Sequence, residues 1–445
     1  MSSLKQLAIR GTIWTFIGYG GSQVLRLGSN LILTRLLVPE VFGLMSLVNT
    51  FIMGLNLFSD IGINPSIVRS PRGEDPIFLN TAWTLQVIRG FGLWIGCLII
   101  AFPVAQFYEQ PNLKWLIPIV GLNTILLGFD STSLAILNRQ VKVGQLTLIE
   151  LVTQIISLGM MLIWAFYKPT IWALIIGSLV SNLVKLYWSH SISTIHHRFI
   201  WNRDCIKELV SFGRWIFIST MMTFLASQTD RLILGKLFPL EILGVYTIAF
   251  TFADIPRQII GTISNKIIFP IFSQKIHLPR HELKIKILKK RIILLILSVL
   301  IISVLFSFGD IIIETLYDQR YKKASWMLPI LTLGLWPLIL SMTIDPILFA
   351  LGNPKFVSLG NAIKFIYMIL ILPWSINSFG ILGGVIVVGF NDLPFYLSVS
   401  YGLWKEQMTV VTQDLQMTCL LILFSIILTS IRYFLGFGYS LENFI

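Results

Sequence analysis

The chain has 445 residues, of which 55% are hydrophobic and only 12% are charged, and its mean hydropathy is +0.80. Soluble domains average about 45–50% apolar and about 25% charged residues, so this composition excludes both an ordinary water-soluble protein and a disordered one. The net charge of +13 does not indicate nucleic-acid binding, because the basic residues lie mostly in short gaps between apolar runs.

Thirteen apolar runs are long enough to cross a membrane. A bilayer core of about 30 Å is crossed by about 20 helical residues, and we predict each run to be a transmembrane helix, with 12 to 14 as the range of the count. In chain order the runs are 11–34, 42–66, 79–101, 113–137, 147–166, 170–190, 209–237, 243–270, 292–316, 326–351, 358–376, 380–402 and 416–436. The first run is too long for the apolar segment of a signal peptide, so we expect it to remain as a span.

Lys and Arg are distributed unevenly between the two ends of these runs. The gaps on the side of the N-terminus hold 18 of them, the gaps on the opposite side hold 7, and 9 lie within the runs. Because Lys and Arg resist translocation, the N-terminus is predicted to be cytoplasmic. The most basic gap, 271–291, is interpreted as ordinary cytoplasmic anchoring.

An internal repeat pairs the first run with the seventh. At an offset of 201 residues, 11 of the 38 positions from 14 to 51 are identical to their counterparts. Six spans separate the copies, which keeps both halves in the same orientation, as in secondary transporters. We predict an all-α integral membrane protein with two six-helix lobes around a central cavity. The predicted limits are 1–190 for the first lobe, 191–208 for a cytoplasmic linker, 209–402 for the second lobe and 403–445 for an additional transmembrane helix.

Charged side chains lie well inside the predicted spans, where each costs roughly 2.5–3.5 kcal/mol. The cations are Arg26, Arg89, Arg257 and Lys364, and the anions are Asp254, Asp345 and Asp392, with Asp130 nearer the cytoplasmic side. A planar guanidinium binds a phosphate through two parallel hydrogen bonds, so we predict that these four cations bind an anionic cargo. The three deeper carboxylates are candidates for coupling to protons or sodium. Alternatively, neighbours such as Asp254 and Arg257 only neutralise each other.

Sequence motifs for catalysis, nucleotides and metals are missing. The chain has no G-x-x-x-x-G-K-[ST], G-x-S-x-G, H-E-x-x-H or C-x-x-C pattern, and its three cysteines are far apart. We therefore expect no cofactor, no metal and no enzymatic activity. An integral-membrane glycosyltransferase or polymerase, which is one alternative, would need catalytic groups in large outer loops, and the outer gaps here are short.

Several segments resemble a known family. ILTRLLVPEVFGLMSLV (32–48), SDIGINPSIVR (59–69) and above all QTDRLILGKLFPLEILGVYTIAFTFADIPRQIIGTISNKIIFPIFS (228–273) are similar to the polysaccharide biosynthesis (lipopolysaccharide exporter-like) family. That family belongs to the multidrug/oligosaccharidyl-lipid/polysaccharide (MOP) exporter superfamily.

The resemblance implies a flippase of the bacterial plasma (inner) membrane. Its cargo would be a polyprenyl-diphosphate-linked oligosaccharide, such as a repeat unit of O-antigen, capsule or exopolysaccharide, and it would work by alternating access. The implied partners are this lipid-linked oligosaccharide, the bilayer and polysaccharide-assembly proteins, with no nucleic acid. Family members usually have twelve or fourteen spans. A cation-coupled extruder of drugs, from the same superfamily, is the other alternative, although interior Arg and Lys disfavour cationic drugs.

Overall fold

The computed structural model describes residues 4–140, 142–193, 195–264 and 279–438, and within these ranges the chain is helical without any strand. It divides into two compact units, Met1–Phe224 and Leu225–Ile445. The boundary lies inside one long helix, Arg203–Leu237. The lobe limits predicted from the sequence remain predictions.

The first unit consists of eight helices and the beginning of a ninth. In chain order they are α1 (Leu4–Leu36), α2 (Pro39–Phe58), α3 (Ile63–Arg69), α4 (Pro76–Phe107), α5 (Leu113–Phe129), α6 (Ser133–Arg139), α7 (Val143–Tyr167), α8 (Trp172–Ser191) and α9 (Arg203–Leu237).

The second unit begins within α9 and contains nine further helices in its described part. They are α10 (Leu240–Ala253), α11 (Ile255–Ile263), α12 (Arg280–Leu316), α13 (Ala324–Gly334), α14 (Trp336–Met342), α15 (Asp345–Ala350), α16 (Lys355–Gly389), α17 (Leu393–Lys405) and α18 (Val411–Phe434), with a 3-10 turn at Gln319–Tyr321. Helix α16 is interrupted at Gly380, whose φ of 61° and ψ of −147° are not helical.

Each of the thirteen predicted runs overlaps at least one of these helices. In the described ranges, seven helical segments are long and apolar enough to cross a membrane, or eight if the bent pair α5 and α6 forms one span. The all-helical, multi-pass membrane architecture is therefore confirmed, while the count of thirteen spans remains a prediction.

The internal repeat is visible in the helix limits and in the packing. Helices α1 and α9 end at Leu36 and Leu237, and α2 and α10 begin at Pro39 and Leu240, which are the same positions at the offset of 201. Within the first unit the packed pairs include α2 with α5, α4 with α5, α5 with α8 and α7 with α8. Within the second unit the corresponding pairs are α10 with α13, α12 with α13, α14 with α17 and α16 with α17.

The second and fourth predicted spans of each half are broken helices. In the first unit α2 is separated from α3 by a turn in which Gly62 has a φ of 62°, and α5 is bent by 62° from α6. In the second unit α10 gives way to α11 just before Pro256, and the span 326–351 is divided into α13, α14 and α15. Proline lacks the N–H that a continuous helix requires, and glycine permits positive φ, so Gly62 explains the break after α2, and Pro256, Pro337 and Pro346 explain those of the second unit.

Helix α18, in the predicted additional segment 403–445, packs against α12. Two buried ion pairs join them. Arg291 Nη1 lies 2.5 Å from Asp414 Oδ1, and Arg432 Nη2 lies 2.6 Å from Asp310 Oδ2. Because the first pair joins the early part of α12 to the start of α18, and the second joins the later part of α12 to the end of α18, the two helices run parallel.

Candidate functional site

The first unit contains a cavity of about 260 Å³ at the level of its two helix breaks. The α2–α3 turn and the α5–α6 bend form two of its sides, and α4 and α8 complete it. Its lining side chains are mostly polar or charged around the breaks, and the ones used below are Asn56, Asp60, Asn64, Gln86, Arg89, Asp130 and Lys185. Non-helical backbone at membrane depth is tolerated where it lines such a cavity.

Arg89, one of the predicted cargo-binding cations, lines this cavity and supports the end of α2. Its Nε donates to the carbonyl and hydroxyl oxygens of Ser59 at 2.9 and 3.0 Å, and its Nη2 donates to the Asn56 carbonyl at 2.7 Å. These carbonyls lie at the C-terminal end of α2, where no further helical turn supplies N–H donors. Nη1 makes no hydrogen bond to the residues that the structure describes.

Asp60 shapes the turn that follows α2. Its Oδ1 accepts a hydrogen bond from the Gly62 backbone N–H at 2.8 Å, which is the local contact typical of Asp in turns. The carboxylate also lines the cavity. The turn thus presents an acid to the same space that Arg89 reaches.

Asp130 lies at the α5–α6 bend and is 5% exposed. Its Oδ2 is 3.1 Å from Lys185 Nζ on α8. Its Oδ1 is buried and has no hydrogen-bond partner within the described chain. A buried carboxylate oxygen without a donor is costly, so this atom marks a place where a ligand group would be stabilised.

In the second unit, two of the predicted cations contact two of the predicted anions. Arg257 forms an ion pair with Asp254 one turn away, and its Nη2 donates to Asp254 Oδ2 at 2.7 Å. Lys364 Nζ on α16 lies 2.6 Å from Asp392 Oδ1 at the start of α17, and both side chains are almost completely buried. The contact between Asp254 and Arg257 is the one that the alternative of mutual neutralisation expects, and the cargo-binding and coupling roles of these four residues remain predictions.

The remaining two predicted site residues lie elsewhere. Arg26 is half-buried on α1 and does not line the cavity of the first unit. Asp345 is the first residue of the short helix α15, and its carboxylate makes no hydrogen bond or ion pair with the residues that the structure describes. Of the seven candidates, the cavity of the first unit thus contains Arg89 alone.

Sequence reasoning missed the lining residues Asp60 and Lys185. A usable signal was present, because all four broken spans carry an aspartate at the break: Asp60, Asp130, Asp254 and Asp345. Unusually interrupted apolar segments in corresponding places of two repeats are the best sequence indicator of a transporter binding site.

A histidine outside the predicted spans packs beside the cavity. His197 stacks on Trp83 with ring centroids 5.2 Å apart, and its Nε2 is 2.8 Å from the hydroxyl of Ser131, a lining residue. Burial, with a smaller contribution from His190, lowers the pKa of His197 to about 4. The ring is therefore neutral at pH 7. No group of three or more His, Cys, Asp or Glu side chains suited to a metal ion occurs among the described residues.

Comparisons with known proteins agree with this architecture. A family model described as "Polysaccharide biosynthesis protein" matches residues 32–326. The teichuronic acid biosynthesis protein TuaB of Bacillus subtilis is 23% identical over 57% of this chain and 53% of its own length. The succinoglycan biosynthesis transport protein ExoT of Rhizobium meliloti is 22% identical over 77% of this chain and 69% of its own length. The match thus spans about half of the length of TuaB.

Among solved structures, the lipid II flippase MurJ in an inward closed conformation has a similar fold. The TM-score is 0.68 with 16% sequence identity, and the match covers 96% of this chain and 98% of MurJ. At this identity the likeness concerns the fold alone.

Proposed function

This chain belongs to the polysaccharide biosynthesis protein family, and on that premise we propose that it is a flippase for a polyprenyl-diphosphate-linked oligosaccharide. The cargo, a repeat unit of O-antigen, capsule or exopolysaccharide, passes from the cytoplasmic to the outer leaflet of a bacterial plasma membrane. Transport proceeds by alternating access, in which the cargo site opens to one side at a time. The protein catalyses no covalent reaction, and its N-terminus is cytoplasmic.

The observation that carries this proposal is Arg89 at the cavity of the first unit. Its guanidinium is bound by neutral oxygens of Ser59 and Asn56, and no carboxylate lies within ion-pair distance of it among the described residues. A cation at membrane depth that is held only by neutral oxygens, beside a polar cavity, marks a functional site for a polar cargo. A polyprenyl-diphosphate oligosaccharide has such a polar head group, and its apolar tail remains in lipid while the head group moves.

The names of relatives support the same cargo class. One relative is named for succinoglycan transport and another for teichuronic acid biosynthesis, and both names concern surface polysaccharides. Lipid II, in the name of the structural neighbour, is itself lipid-linked. We therefore propose the same class of cargo for this chain, and the experiment below tests it.

The direct test is translocation of a fluorescent polyprenyl-diphosphate oligosaccharide in proteoliposomes, with and without an imposed proton or sodium gradient. The wild type is expected to make the fluorophore accessible to an impermeant quencher. Arg89→Gln is expected to slow transport by about tenfold or more, which corresponds to about 1.4 kcal/mol. Arg89→Lys is expected to be intermediate, since it retains the charge and loses the planar geometry.

Arg26→Ala combined with Arg257→Ala tests two of the three predicted cations outside this cavity, and transport is expected to be lost. Lys168→Ala, at an exposed position after α7, is the control and should transport like the wild type. Absence of transport by the wild type under every gradient would refute the proposed function and direct attention to drug extrusion.

A further inference from the structure

We propose that the cavity of the first unit is a subsite for one uncharged sugar ring of the cargo head group, and not for the diphosphate. This inference rests on the proposed function for the identity of the cargo. The evidence for the subsite itself comes from the donors, acceptors, charges and volume of the cavity.

Hydrogen-bond donors and acceptors both line the cavity of the first unit. Arg89 contributes Nη1, which has no partner among the described residues, and Asp60 and Asp130 contribute carboxylate oxygens. The side-chain amides of Asn56 and Gln86 add acceptor oxygens, since their nitrogens already donate to the carbonyls of Ile52 and Leu127. Asn64 adds an amide with both a donor and an acceptor. A sugar hydroxyl donates one hydrogen bond and accepts others, so neighbouring hydroxyls on a ring match this mixture.

Asp130 gives the most specific evidence that a sugar hydroxyl binds in this cavity. One of its oxygens is held by Lys185 at 3.1 Å, while the buried Oδ1 has no donor within the described residues. A carboxylate oxygen in this state needs an O–H or N–H donor. A sugar hydroxyl supplies an O–H donor without bringing a charge into the membrane.

The charges disfavour a diphosphate in this cavity. Arg89 and Lys185 are balanced by Asp60 and Asp130, and Lys185 is already paired with Asp130. A diphosphate would meet two carboxylates at short range, where like charges repel strongly in a medium of low dielectric constant. A neutral ring meets no such penalty.

The volume disfavours a lone cation. At about 30 Å³ per water molecule, the cavity volume of about 260 Å³ corresponds to about nine waters. A sodium ion would occupy a small fraction of this space. A single hexose ring with its hydroxyl groups is of the appropriate size.

The position of the cavity agrees with loading of cargo from the cytoplasm. Its lining residues lie at the C-terminal ends of α2 and α5, at the adjoining starts of α3 and α6, near the middle of α4 and in the later half of α8. These ends lie toward the gaps that hold the majority of Lys and Arg, which the distribution of charge assigns to the cytoplasmic side. A head group arriving from the cytoplasmic leaflet would therefore meet this cavity early.

Protection of an introduced cysteine tests the subsite without requiring transport. Asn64 is exposed and lines the cavity, so the probe is Asn64→Cys in a Cys419→Ser background. Cys97 and Cys205 are buried and are retained. The matched control is Asn138→Cys, which is exposed on α6 and does not line the cavity. Alkylation by a hydrophilic maleimide is measured on the full chain in nanodiscs.

Three kinds of ligand are tested. The first kind is a single sugar: glucose, galactose, mannose or N-acetylglucosamine. The second is inorganic pyrophosphate, and the third is sodium, compared with a buffer in which a large organic cation replaces it. At least one hexose is expected to slow alkylation of Asn64→Cys by about fivefold, the effect of a site that is about four-fifths occupied. The Asn138→Cys rate should not change. The inference is overturned if only pyrophosphate or only sodium protects the cysteine. It is also overturned if none of the sugars protects it.

Two isosteric variants show whether the carboxylates bind the sugar. Asp130→Asn and Asp60→Asn, each combined with Asn64→Cys, are expected to lose most of the protection while eluting as monodisperse protein. Unchanged protection in both overturns the inference. Sugar protection in a protein that translocates no lipid-linked oligosaccharide would refute the proposed function alone, whereas translocation without sugar protection would refute the subsite alone.

Discussion

Removal of one partner of the Arg432 and Asp310 ion pair is expected to destabilise the packing of α18 on α12. Two parallel hydrogen bonds of 2.6 Å join Nη1 to Oδ1 and Nη2 to Oδ2. Both side chains are 3% exposed. Arg432 also donates to the carbonyls of Ser307 and Phe437 at 2.6 and 3.0 Å. Either Arg432→Ala or Asp310→Ala leaves a buried charge without its partner.

The size of the effect follows from burial. An unpaired buried charge costs about 3–5 kcal/mol, because its desolvation is no longer offset by attraction to the partner. For a folding unit of about 150–250 residues, that loss lowers the unfolding midpoint by roughly 6–20 °C. The double variant Arg432→Met with Asp310→Leu removes both charges, so it should recover much of this loss. Recovery should be incomplete, since the two carbonyls lose their donor.

Thermal unfolding of purified protein, followed with a thiol-reactive dye, provides the measurement. The matched control is Arg320→Ala. Arg320 pairs with Asp318 at 2.5 Å, a similar distance, but the two side chains are 38% and 37% exposed. An exposed pair contributes about 0–1 kcal/mol. Equal midpoint shifts for Arg432→Ala and Arg320→Ala, or a double variant as unstable as the sum of the single variants, would refute the reasoning.

Two further predictions concern packing and pH. A Cβ at Gly334 would lie 2.3 Å from the carbonyl carbon of Gly389, whereas a Cβ at Gly92 meets nothing within 4 Å. Gly334→Ala should therefore lower the free energy of unfolding by about 1–3 kcal/mol, and Gly92→Ala should not. Thermal unfolding of the two variants is the measurement. Because the pKa of His197 is about 4 in the folded protein and about 6.5 in the unfolded chain, the unfolded state binds the proton more readily, and stability should decline as pH falls from about 6.5 to about 4. Unfolding midpoints measured across that pH range should decline less in His197→Gln than in the wild type. The control, His281→Gln at an exposed position, should decline like the wild type. An unchanged decline in His197→Gln would contradict the prediction.

The long apolar runs and the repeat were predictable because they depend on local composition. A helix that crosses lipid must satisfy its own backbone and present apolar side chains, so hydropathy identifies it directly. The offset of 201 also placed the ends of α1 and α9, at Leu36 and Leu237, in equivalent positions. Family membership followed from residues such as those of 228–273, and the family match at 32–326 confirms it.

The breaks within spans were not predicted, because a hydropathy window averages across them. Asp254 is followed two residues later by Pro256, and Asp345 is followed at once by Pro346. Each of these pairs places a polar group beside a residue that lacks an N–H, which is a helix-stopping combination. In a window of 17 or more apolar residues such a pair changes the mean little, although it decides where the backbone bends.

The pairing of interior charges was also beyond the sequence. Lys364 and Asp392 are 28 residues apart and meet at 2.6 Å because α16 is interrupted at Gly380 and α17 packs against it. Arg291 was assigned to a basic cytoplasmic gap, yet its side chain is 0% exposed. Which face of a helix is buried, and at what register two helices meet, depends on contacts far apart along the chain.

A cation at membrane depth is therefore insufficient evidence for a cargo ligand. Arg89 and Arg291 each donate to a carbonyl near the end of a helix in a broken span, that of Asn56 in the second span of the first half for Arg89 and that of Leu340 in the fourth span of the second half for Arg291. Such carbonyls have no water to bind in the membrane, so a guanidinium there stabilises the break. Arg291 is neutralised by Asp414, whereas Arg89 lines a cavity. The two arginines thus stabilise different breaks, and of the two only Arg89 lines the cavity of the first unit, where its Nη1 has no hydrogen-bond partner among the described residues.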